Sequence, residues 1–314
     1  MDMNKSFNEL SIGKENKPFT VPTTPKLKQL GYGTGVGVFH VDRSPRNGLV
    51  SSPWALKKIM RQQSSFTKKM AERLRNEAEI LRKLNHPNIV GFRAFVKTTD
   101  GRECLAMEEC HTSLGDLLED NEEFLPVNKI QKVAVEIAKA LDYIHNVARL
   151  LHGDIKSHNI LIKGDFDEIK LCDFGVSLPL NENGTFDVKA AGKNTYVGTR
   201  MWMAPEVCED RTKQIVITDK ADVFPYGLTI WEMFTNRIPH SATFSDDSEA
   251  SFDEDAYEER LNQVVGTRPP LPEDVADDKQ FENVILLFCY CTEENYKKRY
   301  SAKQILQFCV EHKF

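Results

Sequence analysis

The run His152-Gly153-Asp154-Ile155-Lys156-Ser157-His158-Asn159 sets a carboxylate, a cation and an amide within six positions. Asp154 can accept the proton of a substrate hydroxyl and Lys156 can neutralise charge on a transferred phosphoryl group. The Asn159 amide oxygen suits magnesium, a hard cation that prefers oxygen ligands. Nineteen positions after Asp154 comes Asp173-Phe174-Gly175. Asp173 is a second magnesium ligand in this reading, Phe174 an inward-packing ring and Gly175 a point of backbone freedom. Upstream, the glycines of Gly31-Tyr32-Gly33-Thr34-Gly35-Val36-Gly37-Val38 let backbone N–H groups approach phosphate oxygens. Lys57, in Ala55-Leu56-Lys57, can reach the same phosphates, and Glu77 lies twenty residues further on to hold it. Gly198-Thr199 and Ala204-Pro205-Glu206 follow in order. Together these residues point to phosphoryl transfer from ATP, with magnesium, to a hydroxyl.

Those side chains need elements to position them. Short β-type runs, Val36 to Val41 and Trp54 to Ile59, flank the turn-rich segment from Arg43 to Pro53, which predicts a hairpin with an extended loop. A dinucleotide-binding loop would have a helix after its glycines, whereas β-like residues follow here. Met70, Leu74, Ala78, Leu81 and Leu84 predict an amphipathic helix from Thr67 to Leu84, ended by His86-Pro87. Two strands, near Gly91 to Val96 and Cys104 to Glu108, complete a sheet-rich half. Helical patterns then take over at Leu114 to Glu119, Val127 to His145, Asp222 to Thr235, Phe281 to Cys291 and Ser301 to Val310. Short β-like pieces at Ile160 to Lys163 and Ile169 to Cys172 interrupt them.

The chain has 314 residues, 40% of them apolar, enough for a substantial core. A net charge of −6 compels neither nucleic acid nor an anionic membrane as a partner. The longest apolar stretch, Val284 to Cys291, falls far short of the roughly 20 residues that span a bilayer. Met1 to Phe7 lacks the apolar core of a secretory signal, so a cytoplasmic or nuclear location is expected. Seven cysteines without a CxxC pair read as reduced thiols. Residues 1–27 read as a disordered tail. Ser245 to Glu259 carries eight acidic residues and no basic one, so an extended, mobile insert is expected there, with a docking site for a basic partner as the alternative.

With these motifs in order, the sequence resembles the eukaryotic protein kinase family from about Gln29 to Val310. Leu151-His152-Gly153-Asp154-Ile155-Lys156, Val176-Ser177-Leu178-Pro179-Leu180 and Gly266-Thr267-Arg268-Pro269-Pro270 are similar to a MAP kinase kinase-like group associated with dividing cells. The resemblance implies an α+β, two-lobed fold: an N-lobe over 28–110, with an antiparallel sheet and one key helix, and a mainly helical C-lobe over 111–314. It implies an ATP site formed by Leu30, Gly31, Gly33, Gly35, Val38, Ala55, Lys57, Met107, Glu108, Cys110 and Leu161. Within it Met107 stands at the back and Glu108 to Cys110 form the adenine-binding hinge. Catalysis falls to Asp154, Lys156, Lys57 and Glu77, and magnesium to Asn159 and Asp173. Lys156, two residues after Asp154, belongs to the serine/threonine type, and Thr199 is expected beside both. Glu206 is expected to pair with Arg299. Asp222 is expected to anchor the catalytic loop as the N-cap of a core helix, with Pro225 in the first turn.

The sequence departs from that pattern at four places. Val36 replaces the third glycine of the phosphate loop. Gly153 replaces the arginine that reads a phosphate on the activation loop, although Thr185, Thr195 and Tyr196 are available there. Phe224 and Pro225 stand where Trp and Ser are commoner. His312-Lys313-Phe314 lacks the hydroxyl residue of common PDZ ligands, so PDZ binding is not expected. Thr24-Pro25 in the tail suits a proline-directed kinase. The expected activity is a protein serine/threonine kinase acting on protein substrates. The alternative from another class is a nucleotide-binding scaffold with little transfer.

Overall fold

The computed structural model describes residues 28–33, 35–46, 49–60, 65–98, 101–121, 123–208, 216–244 and 254–314. The tail through residue 27, Thr24 within it, and residues 245–253 of the acidic insert lie outside the described residues.

Five antiparallel strands open the chain: β1 (Gln29–Gly33), β2 (Val36–Arg46), β3 (Leu49–Ile59), β4 (Phe92–Lys97) and β5 (Glu103–Glu108), in the order β1-β2-β3-β5-β4. The β2–β3 hairpin is longer than expected, because residues from Arg43 to Pro53 read as a loop are mostly strand. Register shifts on either side of Arg43 accommodate the Ser, Pro and Arg residues that obscured the alternation. Between β3 and β4 runs α1 (Ser65–Leu81), which buries Leu74, Glu77, Ala78 and Leu81. The connection after it is tied to the second lobe, Val90 N–H donating to Leu171 O and Leu171 N–H to Asn88 O.

The second lobe begins with β6 (Thr112–Ser113) and α2 (Leu114–Glu119), whose start is fixed by a capping box between Ser113 and Asp116. Next come α3 (Val127–Asn146), β7 (Leu150–Leu151), β8 (Ile160–Lys163), β9 (Glu168–Leu171), β10 (Leu178–Pro179) and the short α4 (Val188–Ala191) and α5 (Pro205–Cys208). The helices α6 (Lys220–Thr235), α7 (Glu254–Val264), α8 (Glu273–Ala276), α9 (Glu282–Cys291) and α10 (Ala302–Glu311) finish it. On α3 the residues Ile130, Val133, Ile137, Leu141 and Ile144 form the buried stripe that the periodicity marks. Helix α6 is buried on all sides from Ala221 to Thr235, which makes it the central post of the lobe.

Two expectations need correction here. Asp222 is not the N-cap of α6: the helix begins two residues earlier, behind Asp219, and Pro225 lies inside it. The Asp222 carboxylate accepts from catalytic-loop amides instead of its own helix, so capping chemistry does not set the boundary. The acidic insert is not extended throughout, for residues 254–259 belong to α7, which Leu261 anchors in the interior. Among the described residues no helix is long and apolar enough to cross a membrane. All seven cysteines are free thiols, and five of them are buried.

Candidate active site

Lys57 sits on β3 opposite Val38 of β2 and Leu105 of β5, the middle of the sheet. Its Nζ donates to Glu77 Oε2 at 2.8 Å and lies 2.9 Å from Asp173 Oδ1. One ammonium therefore joins a strand, a helix and the Asp-Phe-Gly segment. Burial opposes the Lys57 charge, but Asp173 and Glu77 outweigh it and hold the ammonium well above its ordinary value. Burial pushes the Glu77 carboxyl up to about 7 against the pull of Lys57. Burial also raises the Asp173 carboxyl, yet the Lys57 charge prevails and leaves it below its ordinary value.

Strand pairing brings the other groups to the same place. Ile160 faces Leu171 across β8 and β9, and Cys172 N–H donates to Asn159 O at 2.9 Å, so Asn159 and Asp173 emerge side by side. The Asn159 amide donates to the Asp154 carbonyl at 2.7 Å and to Asp154 Oδ2 at 3.1 Å. Its amide oxygen takes no hydrogen bond among the described residues, which leaves it for a cation. Thr199 donates to Asp154 Oδ1 at 2.6 Å, and Lys156 Nζ donates to Thr199 Oγ1 at 2.8 Å while lying 3.2 Å from Asp154 Oδ2. Thus Lys57, Glu77, Asp154, Lys156, Asn159, Asp173 and Thr199 form one connected constellation.

The remaining candidates surround it. Gly31 and Gly33 lie in β1 opposite Val38 and Val36, and Gly35 makes the turn with φ +81°, where a side chain would be strained. Ala55 and Met107 are buried and paired across β3 and β5, while Leu30, Val38 and Leu161 are partly buried against the same core. Glu108 ends β5, and its carboxylate turns to Gly91 N–H at 3.2 Å and to Arg93, Lys163 and Lys170. The Cys110 N–H makes no hydrogen bond among the described residues, a backbone donor free for a ligand edge. Burial pushes the Cys110 thiol up to about 12 and the Cys172 thiol well above its usual range, so both remain neutral walls.

Several supports of the loop carry no motif. Asp222, fully buried, accepts from His152 N–H at 2.7 Å, Gly153 N–H at 2.8 Å and the His145 ring at 2.9 Å. The His152 ring donates to Cys172 O at 2.9 Å and meets the buried Phe174 ring edge-on at 4.8 Å. Ser157 donates to Glu232, whose carboxyl burial pushes up to about 8. His145 could have been suspected from its place on the apolar stripe of α3; nothing in the sequence singles out Glu232. Arg299 holds Glu206 with two parallel bonds of 2.7 and 2.9 Å, as expected, and also donates to three backbone carbonyls.

The set fits a nucleoside triphosphate with a divalent cation: an ammonium at the sheet, an unspent backbone donor at the hinge, and an amide oxygen beside a carboxylate. Comparisons with known proteins agree. The protein kinase domain profile matches residues 25–310. The chain is 46% identical over 296 residues to the human lymphokine-activated killer T-cell-originated protein kinase, covering 91% of this chain and 89% of that protein. It is 33% identical over 174 residues to mouse mitogen-activated protein kinase kinase kinase 13, spanning 17% of that longer protein. It is also 31% identical over 235 residues to the dual specificity protein kinase shkD of Dictyostelium discoideum, spanning 28% of it.

Proposed function

Because the chain belongs to the protein kinase family, and so is a phosphotransferase that uses ATP and a divalent metal, we propose that it phosphorylates serine or threonine in protein substrates with magnesium as the metal. The observation that carries this reading is the Asp154–Thr199–Lys156 cluster lying next to the paired oxygen groups of Asn159 and Asp173.

ATP with magnesium supplies the transferable phosphoryl group and offsets the charge of its oxygens. Asn159 and Asp173 would hold the metal, Lys57 the phosphates and the Cys110 N–H the adenine edge, between Leu30, Val38 and Ala55 on one side and Leu161 on the other. Asp154 Oδ2 already accepts from Asn159 and faces Lys156, whereas among the described residues Oδ1 accepts from Thr199 alone. The second lone pair of Oδ1 therefore orients the acceptor hydroxyl and takes its proton. Lys156, held by Thr199, stands ready to balance charge moving toward the acceptor. The serine/threonine preference rests on Lys156 at this position. Exposed Glu254 and Glu259 on α7, a helix tied through Glu258 to Arg200 next to Thr199, favour a basic protein substrate. A role in dividing cells, within the cytosol or nucleus, belongs to this reading through the resemblance.

Purified protein incubated with labelled ATP, magnesium and a basic protein should transfer label, with phosphoserine or phosphothreonine as product. Chelation should stop the reaction, and Asp154→Asn should lower kcat by about 100- to 10,000-fold without loss of nucleotide binding. Tight ATP binding with no turnover in the unaltered protein would favour the scaffold, and phosphotyrosine alone would refute the residue preference.

A further inference from the structure

Position 153 precedes the catalytic aspartate, where an arginine would read a phosphate on the following loop. Gly153 carries no cation, and its backbone, with φ +81°, is pinned to Asp222 by a 2.8 Å hydrogen bond. A Cβ there would lie 3.2 Å from the Val176 carbonyl oxygen, so the position is shaped for glycine. The loop hydroxyls meet no cation in exchange. Thr185 bonds to the neutral amides of Asn181 and Asn183, and exposed Thr195 makes no side-chain hydrogen bond among the described residues. Yet Thr199, a few residues on, is firmly bonded to Asp154 and Lys156.

The ring of Tyr196 supplies the missing support. It packs against the buried cluster of Leu151, Leu178, Leu180 and Ala221 beneath the catalytic loop. The same ring covers Gly198: a Cβ built on that glycine would stand 2.8 Å from Tyr196 Cε1 and 3.2 Å from the Gly153 carbonyl oxygen. The ring edge and the Gly153 carbonyl oxygen thus both close on the Cβ side of Gly198, which has φ +45° and is followed at once by Thr199. Tyr196, which the sequence offers as a loop hydroxyl, is partly buried by this packing. Burial, with Asp222 and Asp154 nearby, pushes its phenol well above the ordinary value, and the hydroxyl has no hydrogen-bond partner among the described residues.

We infer that Tyr196 is a positioning residue for phosphoryl transfer, its ring seating the Gly198-Thr199 turn against Gly153 so that Thr199 holds Asp154 without any phosphate on the loop. The inference rests on the kinase reading above. Burying an aromatic face is an apolar substitute for an ion pair and is present as soon as the chain folds.

The test measures peptide phosphorylation by purified full-length protein after phosphatase treatment, beside Thr195→Ala, Tyr196→Phe and Tyr196→Ala. Treated protein and Thr195→Ala should keep full activity, and Tyr196→Phe should match them because the ring is retained. Tyr196→Ala should lose about 10- to 100-fold in kcat/KM for peptide, the scale of a small misplacement of reacting groups, with the KM for ATP unchanged. Full activity of Tyr196→Ala, or loss of activity on phosphatase treatment, overturns the inference. If Tyr196→Ala does not fold, Gly198→Ala takes its place: the same loss supports the seating and unchanged kcat/KM overturns it. Unaltered protein that transfers no phosphate before treatment strikes the kinase reading itself, a result distinct from either.

Discussion

Asp154 is held from below by a network, whereas Lys57 is held from above by very little. Beneath the catalytic loop, Asp222 fixes two successive backbone N–H groups and a histidine, Glu232 fixes Ser157, and Arg299 ties Glu206 to three backbone carbonyls. The side chains of Asp222, His145, Ser157, Glu232, Glu206 and Arg299 are all buried, and two of them, Asp222 and Glu232, project from the central helix α6. Above the cleft, Lys57 meets one helix through one carboxylate, and Glu77 Oε1 is buried with no hydrogen-bond partner among the described residues. The other polar tie between α1 and the Asp-Phe-Gly segment, Asn76 to Gly175 O, is 3.5 Å long. The lower half is over-determined and will keep its geometry under perturbation. The upper half depends on where α1 sits, because Glu77 can hold Lys57 only while the helix is packed inward.

The contrast can be broken from the bottom first. Arg299→Ala leaves Glu206 buried and unpaired, and should cost about 3–5 kcal/mol of stability, read from denaturant unfolding. A much smaller loss would mean that the network shares the burden more widely than its geometry suggests. Glu77→Gln sharpens the upper half. It removes a charge-assisted bond worth about 1.5–3 kcal/mol to the placement of Lys57, so kcat/KM for ATP should fall about 10- to 100-fold. The melting temperature should move little, since the uncharged amide removes the burial penalty on the carboxylate.

The smallest effect concerns a second tie of the upper lobe. His40 on β2 donates to the hinge residue Glu109 at 2.9 Å and to exposed Asp42 at 2.9 Å, which together raise its pKa above the ordinary value. A raised histidine stabilises the fold fully below its unfolded value near 6.5, and that contribution is lost as pH rises through the folded value. His40→Gln should therefore lower the melting temperature at pH 6 and have almost no effect at pH 9, the difference being about 1 kcal/mol for a pair near the surface and only partly withdrawn from water. Equal shifts at both pH values would assign His40 a packing role alone.

Much of this molecule was legible before any coordinates. The stripes of α1 and α3 followed from the spacing of their apolar residues, and Lys57, Asp154, Asn159 and Asp173 from residue chemistry in a fixed order. The hairpin around Arg43 escaped notice because bulges and a proline break a strict alternation, and α7 because eight acidic residues masked the few apolar ones that hold it.

Residue type and local spacing set which groups could do chemistry and which faces had to be buried, because both are properties of a few neighbouring residues. Only the tertiary structure decided that Asp222 would serve the catalytic loop instead of its own helix, that one ammonium would join Glu77 to Asp173, and that the Tyr196 ring would lie against Gly198. Those outcomes depend on what stands opposite a side chain across the fold. A periodic pattern shows that a face is buried but not against what.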